Sequence, residues 1–145
     1  MSDSAHIKTA VLVSGGGSNL GAIFEAQKSG QLSPAYVTLV ISSRAKVKAL
    51  ERAQAFGVPA LVFEPKSYPT DAAFQLALLA ALQKADIQLV CLAGYLRRLA
   101  PEIIATFRGR ILNIHPALLP AFGGAGMYGH YVHEAVLKSG ASHSG

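Results

Sequence analysis

Five short apolar runs, separated by stretches of helical periodicity, constrain the fold of this chain more than any other feature. The runs are Thr9 to Ser14 (TAVLVS), Tyr36 to Ser42 (YVTLVIS), Ala60 to Phe63, Leu89 to Ala93 (LVCLA) and Arg110 to Ile114 (RILNI). A strand with one wet face alternates apolar and polar residues. A continuous apolar run instead suits a strand covered on both faces, as in a parallel sheet. Between the runs, Asn19 to Lys28 puts Leu20, Ile23 and Phe24 on one helical face and stops at Gly30. Val47 to Phe56 carries Val47, Leu50 and Ala53 together and ends before Gly57 and Pro59. Thr70 to Ala85 opens on the capping candidates Thr70 and Asp71, then brings Phe74, Leu78, Ala81 and Leu82 onto one face. Pro101 to Phe107 begins with a proline where a missing N–H costs nothing. A last helix is expected from about His130 to Ser139, closed by Gly140. Strands alternating with helices of this length imply right-handed crossovers and an α/β fold: a doubly wound, mostly parallel sheet with helices on both faces.

Composition narrows the function classes. The chain has 145 residues, 51% hydrophobic and only 14% charged, so it has the apolar surface that a disordered segment lacks. No apolar run approaches the ~20 residues a membrane span needs, and Met1 to His6 has no basic-then-apolar signal pattern. A single cysteine, Cys91, excludes an internal disulfide and fits a reducing cytoplasm. The net charge of +5 is scattered, with its densest cluster at Arg97, Arg98, Arg108 and Arg110. No basic run marks a nucleic-acid arm, which leaves a solvated basic surface or an anion-binding role. With no repeat, linker or low-complexity segment, residues 1–145 read as a single domain.

In doubly wound sheets ligands sit beyond the carboxyl ends of the strands, so the residues after each strand are the place to look. The first run is followed by Ser14-Gly15-Gly16-Gly17-Ser18-Asn19, which opens directly into a helix. Glycines let the backbone approach a ligand closely, and the unpaired N–H groups of a first helical turn favour phosphate. Ser18 and Asn19 are candidates for side-chain donors or for the N-cap. The spacing is neither G-x-G-x-x-G, because Leu20 falls where glycine is needed, nor a Walker loop. A plain, well-capped strand-to-helix turn is the alternative.

The fourth run is followed by Gly94-Tyr95-Leu96-Arg97-Arg98-Leu99-Ala100-Pro101. Apolar Tyr95, Leu96 and Leu99 in a loop suit a flat aromatic ligand, or a loop packed on the core. After the fifth run, Asn113 and His115 lie two residues apart and so point to the same side of the strand. A carboxamide and an imidazole side by side could hold a carbonyl oxygen, Asn113 donating a hydrogen bond to it and His115 supplying or receiving a proton. The alternative is a pair satisfied by backbone groups at a strand end. His130 and His133 lack the H-E-x-x-H pattern because Leu137 takes the second ligand position, so no metal site is expected. Cys91 reads as a small buried hydrophobe, and Ser14 and Ser18 lack the context of a hydrolase nucleophile.

The order of these segments resembles phosphoribosylglycinamide formyltransferase. The resemblance runs from about Ile7 to the last residue and is carried by Val13 to Asn19, Leu92 to Arg97 and Asn113-Ile114-His115-Pro116-Ala117-Leu118-Leu119-Pro120. It implies a Rossmann-like fold and direct formyl transfer from the co-substrate 10-formyltetrahydrofolate to the amine of phosphoribosylglycinamide, in purine synthesis and without a metal. It further implies that Gly17, Ser18 and Asn19 bind the ribonucleotide phosphate. Leu96, Arg97, Arg98 and Leu99 would line the folate pocket, with Asn113 contacting the formyl donor and His115 acting as the catalytic acid. The implied partners are small molecules in the cytoplasm, with no nucleic acid and no membrane; a homo-oligomer is left open. Two departures stand out. The family commonly has a basic folate contact near Asp71, for which Lys66 is a weak substitute. The family also continues past the equivalent of Gly145 to a catalytic aspartate, so the domain is expected to lack its C-terminal part, to be inactive alone and to associate through an exposed strand edge. Other folate-dependent formyltransferases, a formyltetrahydrofolate hydrolase and an inactive mononucleotide-binding fragment are the rival readings.

Overall fold

A computed structural model describes residues 6–114; the helix expected from His130 to Ser139 lies outside the described residues. The chain divides into two compact units, Met1–Leu112 and Asn113–Gly145, and only Asn113 and Ile114 of the second are described. The strands are β1 (Ile7–Val13), β2 (Ala35–Ser42), β3 (Ala60–Val62), β4 (Leu89–Leu92) and β5 (Ile111–Asn113). The helices are α1 (Ser18–Lys28), α2 (Lys48–Phe56), α3 (Asp71–Lys84) and α4 (Pro101–Thr106), with a single 3-10 turn at Pro65–Ser67. Every expected element within the described residues is present, within two residues at each end.

The sheet order is β3-β2-β1-β4-β5. β1 pairs in parallel with both β2 and β4, and β2 pairs in parallel with β3. β5 lies beside β4, where the Val90 N–H donates to the Arg110 carbonyl at 2.9 Å. Central β1 is covered on both faces, as its unbroken apolar run requires. Ala10 and Leu12 join Leu78, Leu82, Ile103 and Phe107, which puts α3 and α4 on one face. Val11 and Val13 join Leu20, Phe24, Ala49 and Ala53, which puts α1 and α2 on the other. At about 1.5–3 kcal/mol for each large apolar side chain fully buried, these two layers hold the sheet flat against its helices. β2 alternates between the layers, Leu39 and Ile41 in one and Val40 in the other, and carries a bulge: Thr9 faces Val37 but Ala10 faces Leu39. Thr38 is the extra residue, so Val37 and Leu39 fall in opposite layers.

Two expectations fail at the sheet's flanks. Ala60 to Val62 was expected to be covered on both faces, yet all three residues are exposed, Leu61 and Val62 at 41% each. Leu112 in β5 is likewise exposed. Both strands stand at the ends of the described sheet order, and strand order is not visible in an apolar run. In α2 the buried residues are Ala49 and Ala53, and Val47, its N-cap, packs partly buried against the same layer. Cys91 is half-buried rather than buried, and packs at the edge of the α1–α2 layer.

Candidate functional site

After β3 the chain crosses back to the far side of β1, so the strand order reverses between β1 and β4. The loops leaving those two strands run side by side, the position where such sheets bind ligands. Ser14 joins them. Its N–H donates to the Gly94 carbonyl (3.2 Å), and its Oγ accepts from the Leu96 N–H (2.9 Å). The same Oγ shares a 2.6 Å hydrogen bond with Ser43 Oγ at the end of β2. Ser14 is 1% exposed, and its bond to Ser43 is buried. Sequence reasoning passed over Ser14 as a failed nucleophile. Its partners lie 29 and 82 residues away, out of reach of any local pattern.

The glycine loop splits into two kinds of position. A Cβ on Gly15 or Gly16 would meet nothing within 4 Å, so packing does not require glycine at either position and the space beside them is open. Gly17 is demanded by the fold itself. It is the N-cap of α1 in the left-handed region (φ 77), and a Cβ there would come within 2.8 Å of Ala49 Cβ. Ser18 and Asn19, expected as capping candidates, are instead the first helical residues, and no side chain caps α1. Both are exposed, and with Leu20 they present first-turn N–H groups that have no partner within the helix. Arg52 of α2 adds a cation that sequence reasoning missed. Its Nε donates to the Gly16 carbonyl at 3.0 Å, and its Nη1 lies 2.9 Å from where a Cβ on Gly21 would stand.

Beside this loop, after β4, is a cavity of about 490 Å³ lined by Leu96 to Pro101 together with Asp71 and Gln75 of α3. Leu96, Arg97, Arg98 and Leu99, consecutive in the sequence, all line it. Leu96 is exposed, whereas Tyr95 and Leu99 are half-buried against the α3–α4 layer, so the loop both packs on the core and presents an apolar surface. Gln75, only 7% exposed, fixes the loop's shape. Its Nε2 donates to the Arg98 carbonyl and its Oε1 accepts from the Ala100 N–H, each at 2.9 Å. Burial pushes the Tyr95 phenol up to about 12, with the nearby Arg97 charge opposing and Asp71 adding. Burial likewise raises the Cys91 thiol. Lys66, on the 3-10 turn, is not among the residues lining the cavity. A second cavity, lined by Lys8, Gln88, Thr106 and Arg110 among others, lies off the other ends of the strands.

Asn113 is the last residue of β5 and is exposed; His115 lies outside the described residues. Among the described residues no three His, Cys, Asp or Glu side chains gather as a metal site, and no helix is long and apolar enough to cross a membrane.

An open α/β sheet with a glycine turn and a cavity side by side at its switch point defines a class, the doubly wound folds whose ligands sit at that position. Residues 7–145 match the sequence family described as formyl transferase, and the chain belongs to that family. It is 46% identical over 139 residues to a chloroplastic phosphoribosylglycinamide formyltransferase of Arabidopsis thaliana, covering 95% of this chain and 47% of that one. It is 39% identical over 133 residues to phosphoribosylglycinamide formyltransferase of Bacillus subtilis, covering 92% of this chain and 68% of that one. The crystal structure of glycinamide ribonucleotide transformylase 1 from Symbiobacterium toebii superposes with a TM-score of 0.85 at 43% identity, over 96% of this chain and 63% of that one. The chain thus spans about half the length of the plant relative and under two thirds of the Symbiobacterium protein.

Proposed function

We propose that this chain takes part in formyl transfer from 10-formyltetrahydrofolate to the primary amine of phosphoribosylglycinamide, a step of purine synthesis. The observation that carries the reading is the pairing of two unlike surfaces at one switch point. The open space beside Gly15 and Gly16, with the first-turn N–H groups of α1, suits a phosphate. The cavity along Leu96 to Leu99 has apolar walls for a flat heterocycle and a guanidinium for an acidic tail. Family membership and the names of the relatives point to the same reaction.

In this reading Gly17, Ser18 and Asn19 hold the ribonucleotide phosphate, and Leu96, Arg97, Arg98 and Leu99 hold the folate. The amine nitrogen attacks the formyl carbon, and negative charge develops on the formyl oxygen. Asn113 donates a hydrogen bond to that oxygen, and His115 supplies the acid that stabilises it. The bond from the formyl carbon to the folate nitrogen then breaks, and the amine's proton ends on that nitrogen. A cytoplasmic location goes with this reading, on the strength of the one free thiol, Cys91.

The test is to supply both substrates and follow release of tetrahydrofolate by absorbance. In a protein that carries this chain together with the family's C-terminal part, the expected result is turnover that needs the amine and that falls roughly 100-fold in His115→Ala. Formyl release to water without the amine would mark a hydrolase. Affinity for the ribonucleotide without any turnover would mark a binding module.

A further inference from the structure

We propose that Asp71 is a specificity residue of the apolar cavity: by holding the Arg97 guanidinium it disfavours ligands that carry carboxylates. The inference rests on the folate reading, because a folate is an uncharged heterocycle joined to an acidic tail.

Arg97 Nη2 and Asp71 Oδ1 are 3.6 Å apart, the only ion pair among the described residues, and both side chains line the same cavity. Asp71 has its own reason to be charged where it is. It stands in the first turn of α3, beside a Thr70 cap that accepts from the Ala73 N–H, where the helix dipole favours an anion. Arg97 has a fixed base. Gln75 clamps the backbone at Arg98 and Ala100, and the guanidinium lies 5.9 Å from the centre of the Phe74 ring. The carboxylate is therefore a standing feature of the cavity wall, and Arg97 is the cation it neutralises.

A ligand carboxylate that reaches Arg97 has to share the guanidinium with Asp71 and face its charge. The two side chains are 44% and 66% exposed, so the pair is open to competition and modest in strength. Its effect is a few-fold bias rather than an absolute bar. Further carboxylates on a longer tail feel the same negative charge within a screening length.

The experiment measures binding of three ligands to the wild-type chain and to Asp71→Asn by calorimetry at low salt. The ligands are folate with one glutamate, folate with three glutamates, and the dimethyl ester of the first, which keeps its size but loses its tail charge. Asp71→Asn is expected to tighten the one-glutamate folate about 2- to 5-fold, the scale of an exposed pair. The three-glutamate form gains more, the ester stays unchanged, and the gain fades at high salt. In an Arg97→Gln background Asp71→Asn is expected to give a smaller gain, because only the repulsion from Asp71 is then relieved, and melting curves check that each variant folds. Equal affinities in wild type and Asp71→Asn, or an ester that tightens as much as the acid, would overturn the inference while leaving the folate site intact. Folded protein that binds none of the three ligands would overturn the folate reading, and the inference with it.

Discussion

Replacing Ser14 by alanine removes the hydroxyl that the Leu96 N–H donates to and that Ser43 shares, and strands the buried Ser43 hydroxyl. The expected loss is about 1–3 kcal/mol of folding stability, the cost of stranding shielded polar groups. Urea unfolding measures it, and an Ser14→Ala protein as stable as wild type would show that the loops are held by something else. The glycine loop gives a second contrast. Gly17→Val adds left-handed strain and a clash with Ala49, so a loss of at least about 1–3 kcal/mol is expected whatever ligand binds. Gly15→Ala meets only open space, so stability should change by less than about 0.5 kcal/mol. The added methyl nevertheless stands where a phosphate would approach, and affinity for phosphoribosylglycinamide should fall. Calorimetry and unfolding on the two variants separate the roles; equal behaviour would refute the division.

At the scale of elements, α3 does more than cover the sheet. Phe74, Leu78 and Leu82 face the core, while Gln75 shapes the loop after β4 from the same helix. Gln75→Leu keeps the volume but strands the Arg98 carbonyl and the Ala100 N–H. Folate affinity should drop several-fold or more, with a stability loss of about 1–3 kcal/mol. Unchanged folate binding would mean that the loop holds its shape without the clamp. The helix itself was legible in the sequence, from the Thr70 cap and the apolar spacing that followed. Gln75 was not, because one polar residue in an apolar helical stretch reads as a solvated position until its partners, 23 and 25 residues on, are known. The same limit hid the Arg97–Asp71 pair and the Ser14 staple. It also explains the exposed β3: an apolar run reports what a strand can bury, and its neighbours decide what it does bury. The glycine turn and the Leu96 to Leu99 wall were legible because each follows directly on a strand.

At the scale of the whole molecule, burial raises two acidic groups among the described residues, the Tyr95 phenol and the Cys91 thiol, and both bear on how stability responds to alkali. The thiol is raised from its ordinary 9.0, and the phenol is raised from 10.0 to about 12. Each group ionises more easily in the unfolded chain than in the folded one. Between the unfolded and folded values the folded state therefore binds more protons, and raising the pH favours unfolding. Their contributions are fully present below about pH 9 and are lost upward from there, with Tyr95 accounting for the span from about 10 to about 12. The measurement is urea unfolding at a series of pH values from 8 upward, with phenolate absorbance followed in parallel. Tyr95→Phe has no proton to lose and should flatten the upper part of the decline, and Cys91→Ala should flatten its onset. Because Tyr95 stands in the loop between Gly94 and Leu96, its ionisation would also loosen the cavity wall, so folate affinity should fall over the same upper span. A Tyr95→Phe protein with an unaltered slope above pH 10 would show that other groups govern the alkaline limb.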